Sequence, residues 1–322
     1  MRLIIAMIII NIMLLFVPPH AEAKGRYTAT TSGAFLKLDT GARAAAMGGA
    51  GGALIGDPGC VYYNPAGLAG LGTFSLASSH VEWFQDIKQE HLGLSKRLKI
   101  GFEEEARDLG VGACNLYFLH MNKIKGTYII GESNYQPSEE FTASGYLAMF
   151  TYACYFSPDA LFGVNLKVIR EEIEKEDAMA VAFDLGALYR TRIKNLTAGV
   201  SLQNMGSEMK FMEKKAALPL TLRGSIGYAM LNKELLLLID INKPIDNELH
   251  IRAGIEYWLT PWLGLRAGYR SDVDTGSGFG GGLGIKLKRQ GEEKTTIYKF
   301  DYAFVPCGEV GDSHRASLAV EF

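Results

Sequence analysis

From Gly72 to the C-terminus, apolar and polar residues alternate in segments of about ten, each ended by a short polar or glycine-containing break. Leu220, Leu222, Ile226 and Tyr228 fall on one face of such a segment, with Thr221, Arg223 and Ser225 on the other. Leu249, Ile251, Ala253, Ile255 and Tyr257 alternate in the same way with His250, Arg252, Gly254 and Glu256. A period of two puts successive side chains on opposite faces, so each segment predicts a β-strand. Fourteen strands are predicted, at about 73–83, 88–97, 109–121, 140–156, 160–173, 177–190, 195–204, 219–230, 234–242, 248–258, 262–271, 278–288, 295–305 and 313–322. An even number of antiparallel, hairpin-linked strands is what closes a bacterial outer-membrane barrel.

Soluble β-sandwiches also alternate, but their strands commonly run five or six residues, whereas a tilted membrane strand needs about 9–11. The observed lengths favour the membrane. Charge placement agrees, because Arg223, Arg252, Arg266, Arg270, Lys286 and Arg315 all lie on the polar face, where a barrel has its lumen. Arg223, Arg252, Glu256, Arg266, Arg270 and Lys286 are the candidate lumen-facing residues. Two roles are open to them: lining a conduit that attracts anions, or ion-pairing with inward acids such as Glu256 and Asp301. Gly280, Gly282 and Gly284 share one face of their strand and leave room inside. Tyr257, Trp258, Trp262, Tyr269 and Phe304, near strand ends, suit aromatic girdles or ordinary apolar exterior. The chain ends on Phe322, with apolar residues two, four and six positions earlier.

The N-terminus departs from this rhythm. Arg2, the apolar run from Leu3 to Val17, Pro18-Pro19 and Ala21-Glu22-Ala23 read as a signal peptide over 1–23, with a mature start at Lys24. An uncleaved anchor is the competing reading, against which the run falls short of the roughly 20 residues that span a bilayer. Residues 24–71 are rich in Ala and Gly without alternation and predict a compact segment packed inside the barrel, the alternative being a surface loop before it. Asp57-Pro58 and Asn64-Pro65 mark turns. The expected organisation is therefore a signal peptide at 1–23, an N-terminal plug at 24–71 and an all-β, fourteen-stranded antiparallel transmembrane barrel at 72–322.

Composition narrows the chemistry. A net charge of −2 over 322 residues offers no field for a phosphate backbone, so nucleic acid is not an expected partner. Cys60, Cys114, Cys154 and Cys307 lack metal-ligand spacing and fix no disulfide pairing. Gly311-Asp312-Ser313-His314 sets a serine beside a histidine, but neighbours on a strand point to opposite faces and form no relay. The run 278–284 is glycine-rich without a following helix, which removes the context of a dinucleotide fingerprint. The acidic groups at 103–105 and 171–176 suit solvated loop tips better than calcium sites. No enzyme activity, catalytic residue, metal or cofactor is expected.

One segment carries a family resemblance. Leu36-Lys37-Leu38-Asp39-Thr40-Gly41-Ala42-Arg43-Ala44-Ala45-Ala46-Met47-Gly48-Gly49-Ala50, then Asp57-Pro58 and Tyr63-Asn64-Pro65-Ala66-Gly67-Leu68, resembles the N-terminal signature of PorV/PorQ-type outer-membrane proteins, relatives of the FadL long-chain fatty acid transporters. The resemblance implies that Asp39, Gly41, Arg43, Met47, Gly48, Asp57, Pro58, Asn64, Pro65, Ala66 and Gly67 belong to a hatch that plugs a fourteen-stranded barrel. It implies passive transport of hydrophobic or amphipathic small molecules across the outer membrane or, alternatively, a type IX secretion accessory that binds and hands over exported proteins. Phe322 resembles the C-terminal signal read by the barrel-assembly machinery. The implied partners are outer-membrane lipid, that machinery, and either a hydrophobic ligand or secreted cargo.

Overall fold

The alternating segments pair with their sequence neighbours into a closed wall. In the computed structural model, which describes residues 30–101, 107–130, 134–273, 276–291 and 294–322, the strands are β1 Phe74–Glu82, β2 Ile87–Ile100, β3 Arg107–Met121, β4 Ile124–Ile130, β5 Asn134–Phe141, β6 Ala143–Tyr155, β7 Ala160–Ile173, β8 Glu176–Arg190, β9 Leu196–Gly206, β10 Met209–Phe211, β11 Lys214–Ala216, β12 Thr221–Met230, β13 Leu235–Pro244, β14 His250–Trp258, β15 Leu263–Arg270, β16 Phe279–Gln290, β17 Thr295–Pro306 and β18 Asp312–Glu321. Fourteen of these form one closed antiparallel barrel, and β4–β5 and β10–β11 are separate two-stranded hairpins. The barrel closes where β1 meets β18, with Ser75 opposite Glu321 and Glu82 opposite His314. The signal-peptide reading at 1–23 and the start of the plug reading at 24–29 lie outside the described residues.

The wall is apolar outside and polar inside. Leu92, Leu116, Phe150, Phe183, Leu222, Ile226, Ile239 and Leu318 are exposed on the outer face, while Ser79, His91, Asn115, Asp184, Arg223, Asp240 and Arg252 are buried on the inner one. Water would penalise so broad an apolar belt, whereas a bilayer solvates it and leaves the lumen to charges. Closure also matters in lipid, because an open sheet edge would leave backbone groups unpaired. The two ends differ. Turns at 156–159, 191–195, 231–234 and 259–262 are short and share the end where the chain finishes, while 122–142, 207–220 and 271–278 are the longer connections opposite. Bacterial barrels keep short turns on the periplasmic side and longer loops on the extracellular side.

Two of the aromatics expected in girdles or on the exterior lie elsewhere: Tyr257 is buried beside Leu235 and Ile255, and Trp258 turns to the other face. It points into the lumen and donates through Nε1 to Glu256 at 3.1 Å. Its place in the register explains this, since Arg252, Gly254, Glu256 and Trp258 share one parity. Ser313 and His314 take opposite faces: Ser313 is buried and accepts from Arg315 Nε, and His314 meets the Tyr302 hydroxyl outside.

Candidate functional site

The segment from 30 to 71 fills the lumen. It starts at the loop end, where Ser32 Oγ donates to the Ala216 carbonyl and Thr31 Oγ1 donates to Asp246 at 2.6 Å. It descends through a 3-10 turn Ala34–Lys37, a short helix Ala42–Ala46 and 3-10 turns Pro58–Tyr62 and Pro65–Gly70, then enters β1 at the other end. So little regular structure inside a barrel demands that the wall satisfy the backbone. It does: Ser317 Oγ accepts from Ala42 N, Asp240 accepts from Gly51 N and Gly52 N, and Gln203 Nε2 donates to the carbonyls of Tyr62 and Tyr63. The turns are self-capped. Asp57 accepts from Gly59 N with Pro58 at the first position, and Asn64 accepts from Ala66 N with Pro65 there.

Two seats hold the plug. On the β6–β8 side the wall presents Leu147, Met149, Leu161 and Leu188 to the apolar turn Pro65–Gly70. Pro65 and Ala66 lie against Gly163, and Asn64 Nδ2 donates to Gly52 and Ala187 carbonyls. Gly67 faces the Leu54 backbone and Cys60 within the plug. On the β14–β18 side, Met47 and Gly48 press on Gly254 and Gly268, where any Cβ would collide with plug backbone. The space left by Gly280 and Gly282 is taken up by the helix, whose Ala45 and Ala46 face them.

Ion pairs tie the seats together. Asp39 accepts from Arg252 at 2.5 Å and from Arg270 at 2.9 Å, and its backbone carbonyl accepts from Arg315. Gly41, with φ of +72°, turns the chain into the helix that carries Arg43. Arg43 spans Asp57 at 2.6 Å and Glu256 at 2.7 Å; Glu256 also accepts from Arg266, which reaches Asp301 at 2.7 Å. Arg223 pairs with Asp240 at 2.8 Å and lies over the Tyr63 ring. Lys286 stands apart from these pairs: its ammonium lies 5.8 Å from the Trp258 ring centroid, beside a cavity of about 110 Å3 shared with Arg43, Arg266, Lys299 and Asp301. Phe322 is outside, its ring 5.7 Å from that of Phe74 across the closing seam.

Sequence reasoning missed several partners. Asp240, Asp246 and Asp272 take up Arg223, Lys37 and the Arg252–Arg270 pair, and a buried Lys167–Asp184 bridge at 2.7 Å sits beside Asn165 and Asn204. The signal was available in Ile239-Asp240-Ile241-Asn242, where two polar residues alternate with isoleucines and so face inward with Arg252.

Burial raises the carboxyl pKa of Asp39, but Arg252 and Arg270 outweigh it and hold the group below its ordinary value; Arg43 does the same for buried Asp57. A depressed carboxylate contributes stability above its unfolded pKa of about 4 and loses it as pH falls through the lower folded value. The plug is therefore expected to stay locked at pH 5 and to loosen below about pH 4. Conductance across planar bilayers, measured from pH 7 to pH 2.5, checks this; a flat profile shows that these pairs do not hold the plug.

Residues 19–221 match the family model of UPF0164, described as an uncharacterised protein family. No curated protein matches the chain in sequence. Among solved structures, the Pseudomonas putida toluene transporter TodX aligns with a TM-score of 0.59 at 11% identity, over 88% of this chain and 96% of that one. The CymD monoaromatic hydrocarbon channel gives 0.56 at 12%, over 88% and 98%. A Pseudomonas aeruginosa FadL homologue gives 0.54 at 10%, again over 88% and 98%. These likenesses show that the chain shares its barrel fold with these channels.

Proposed function

We propose that this chain, which belongs to the uncharacterised protein family UPF0164, is a plugged outer-membrane barrel that lets small amphipathic molecules pass without an energy source. One observation carries the reading: a closed wall with an apolar exterior surrounds a segment held by hydrogen bonds and ion pairs as well as by apolar packing. An unobstructed lumen would serve general diffusion, and a purely apolar interior would be static filler. A polar latch has two states, made and broken, which suits a gate that shifts when solute arrives. The barrels of similar fold are named as a hydrocarbon channel and a toluene transporter, which supports passage of small molecules in general.

The lumen-facing cations Arg223, Arg252, Arg266 and Arg270 serve the latch in this reading, and Phe322 serves as the mark read by the assembly machinery. The PorV/PorQ-like signature over 36–68 favours a second reading, a secretion accessory that hands exported proteins onward. That signature packs inside the lumen, so cargo would meet the loops at the end carrying β4–β5 and β10–β11.

Planar-bilayer recording separates the readings. The intact barrel is expected to conduct little. Arg43→Ala leaves Asp57 and Glu256 short of their shared cation and is expected to raise the open fraction at least about tenfold. Large steady conductance of the intact barrel, or no change in the variant, overturns the gated-transport reading.

A further inference from the structure

Between the first turn of the plug and the wall, toward the loop end, lies a cavity of about 280 Å3. Its roof is the turn Ala34–Lys37 with Leu38, and its wall comes from β7, β9 and β12–β15. The charges around it are already matched: Lys37 with Asp246, Lys167 with Asp184, Arg223 with Asp240, and Arg252 with Asp39 and Asp272. A free anion would have to displace one of these carboxylates, which a buried pair resists.

What remains unmet is hydrogen bonding, in both senses. Asn242 lines the cavity, is only 4% exposed, and has neither amide nitrogen nor amide oxygen partnered among the described residues. In the register it sits between Arg223 on β12 and His250 on β14, both of which also line the cavity. Arg223 and Arg252 also line the cavity, and their Nε atoms add unpartnered donors among the described residues. Such groups are costly to leave dry, and a buried amide offers two donor and two acceptor positions. A hydrocarbon satisfies none of them and a simple carboxylate only the donors. A hydroxyl group both donates and accepts.

The rest of the lining suits a ring bearing hydroxyls. Leu36, Leu38 and Tyr62 give apolar surface for ring C–H groups beside the polar wall. The volume lies near the lower bound of small-molecule pockets, about 300 Å3, which fits a single sugar ring and excludes a long acyl chain. We propose that this cavity is a recognition site for a small hydroxyl-rich solute of the sugar class, read chiefly by Asn242. The inference rests on the transport reading only in making the cavity the first station of the path; binding itself stands alone.

The test uses the full barrel in an amine-oxide detergent, because sugar-headed detergents would compete. Saturation-transfer NMR with D-glucose as probe, and toluene and acetate as comparators, reads occupancy. Glucose is expected to receive saturation from the wild type, and its binding to weaken at least about tenfold in Asn242→Leu. Asn242→Ser, which puts one hydroxyl in place of the amide, should fall between the two. Heat-dependent gel mobility confirms that each variant is a folded barrel. Absence of glucose saturation in the wild type, or equal binding in folded Asn242→Leu, overturns the proposal, as does toluene binding that excludes glucose. Glucose binding without flux into proteoliposomes supports the site and removes the transport reading; glucose flux together with binding that is equal in the wild type and folded Asn242→Leu overturns the site and leaves the transport reading.

Discussion

Replacing Gly268 with valine is expected to drive the plug from its seat while the barrel still assembles. A Cβ at this position would fall inside van der Waals contact of Gly48 N and of the Met47 carbonyl carbon, which are backbone atoms with no rotamer to escape through. Gly48 cannot yield easily, since its φ is +67° and the Tyr269 backbone lies against its other side. Overpacking of this kind commonly costs about 1–3 kcal/mol even where side chains can rearrange. Here the cost falls on one contact, plug against β15, and not on the strand pairing that holds the wall. Limited proteolysis in proteoliposomes should show residues 30–71 newly cleaved, alongside unchanged heat-dependent mobility. Gly224→Val is the control, because nothing lies within 4 Å of a Cβ there. If the Gly268 variant protects its plug as the wild type does, the plug does not depend on this seat.

Asp39→Asn is the second large effect. The substitution removes the one carboxylate that reaches both Arg252 and Arg270 from the plug, leaving Asp272 alone to serve both. Breaking one side of a buried ion pair typically costs about 3–5 kcal/mol, because the other charge stays behind in low dielectric. The wall keeps its own pairs, so the loss should appear as freed plug and not as an unfolded barrel. Thermal melting followed by Trp fluorescence is suited to this. Trp83 stacks on Arg315, with the guanidinium 4.2 Å from the ring centroid, and Arg315 in turn donates to the Asp39 carbonyl. An early fluorescence transition is expected in Asp39→Asn and absent in the wild type. A single transition at the wild-type temperature would show that the arginines are satisfied without Asp39.

The barrel could be read from the sequence because lipid outside and charge inside write themselves into alternate positions. Leu222, Ile226 and Ile251 face outward and Arg223, Arg252 and Glu256 inward by parity alone. The hairpins β4–β5 and β10–β11 could not, since they leave the wall and are under no demand for two unlike faces. β10 and β11 are also only three residues each, below the length at which a period shows. The site was legible in part. Arginines on the polar face were visible, and so was the tract that fills the lumen. Their pairing was not, because Arg43 meets Glu256 and Asp39 meets Arg270 across more than two hundred residues of chain. Asn242 carried no signal as a recognition residue: only the roof laid over it by Ala34–Lys37 makes its burial meaningful.

The seam between β1 and β18 also constrains events in time. It joins Phe74, next to the plug, with Phe322 after β18, so the wall cannot close until β18 has reached β1. The plug precedes every strand of the wall in sequence and its route runs the full height of the lumen, with ties at both ends. Threading it into a finished cylinder would require passing Tyr62, Tyr63 and several ion pairs through a ring already narrowed by buried side chains. Strands folding around a resident segment meet no such obstacle. The seam is thus a clasp, and the order of biogenesis is written into which two strands it fastens.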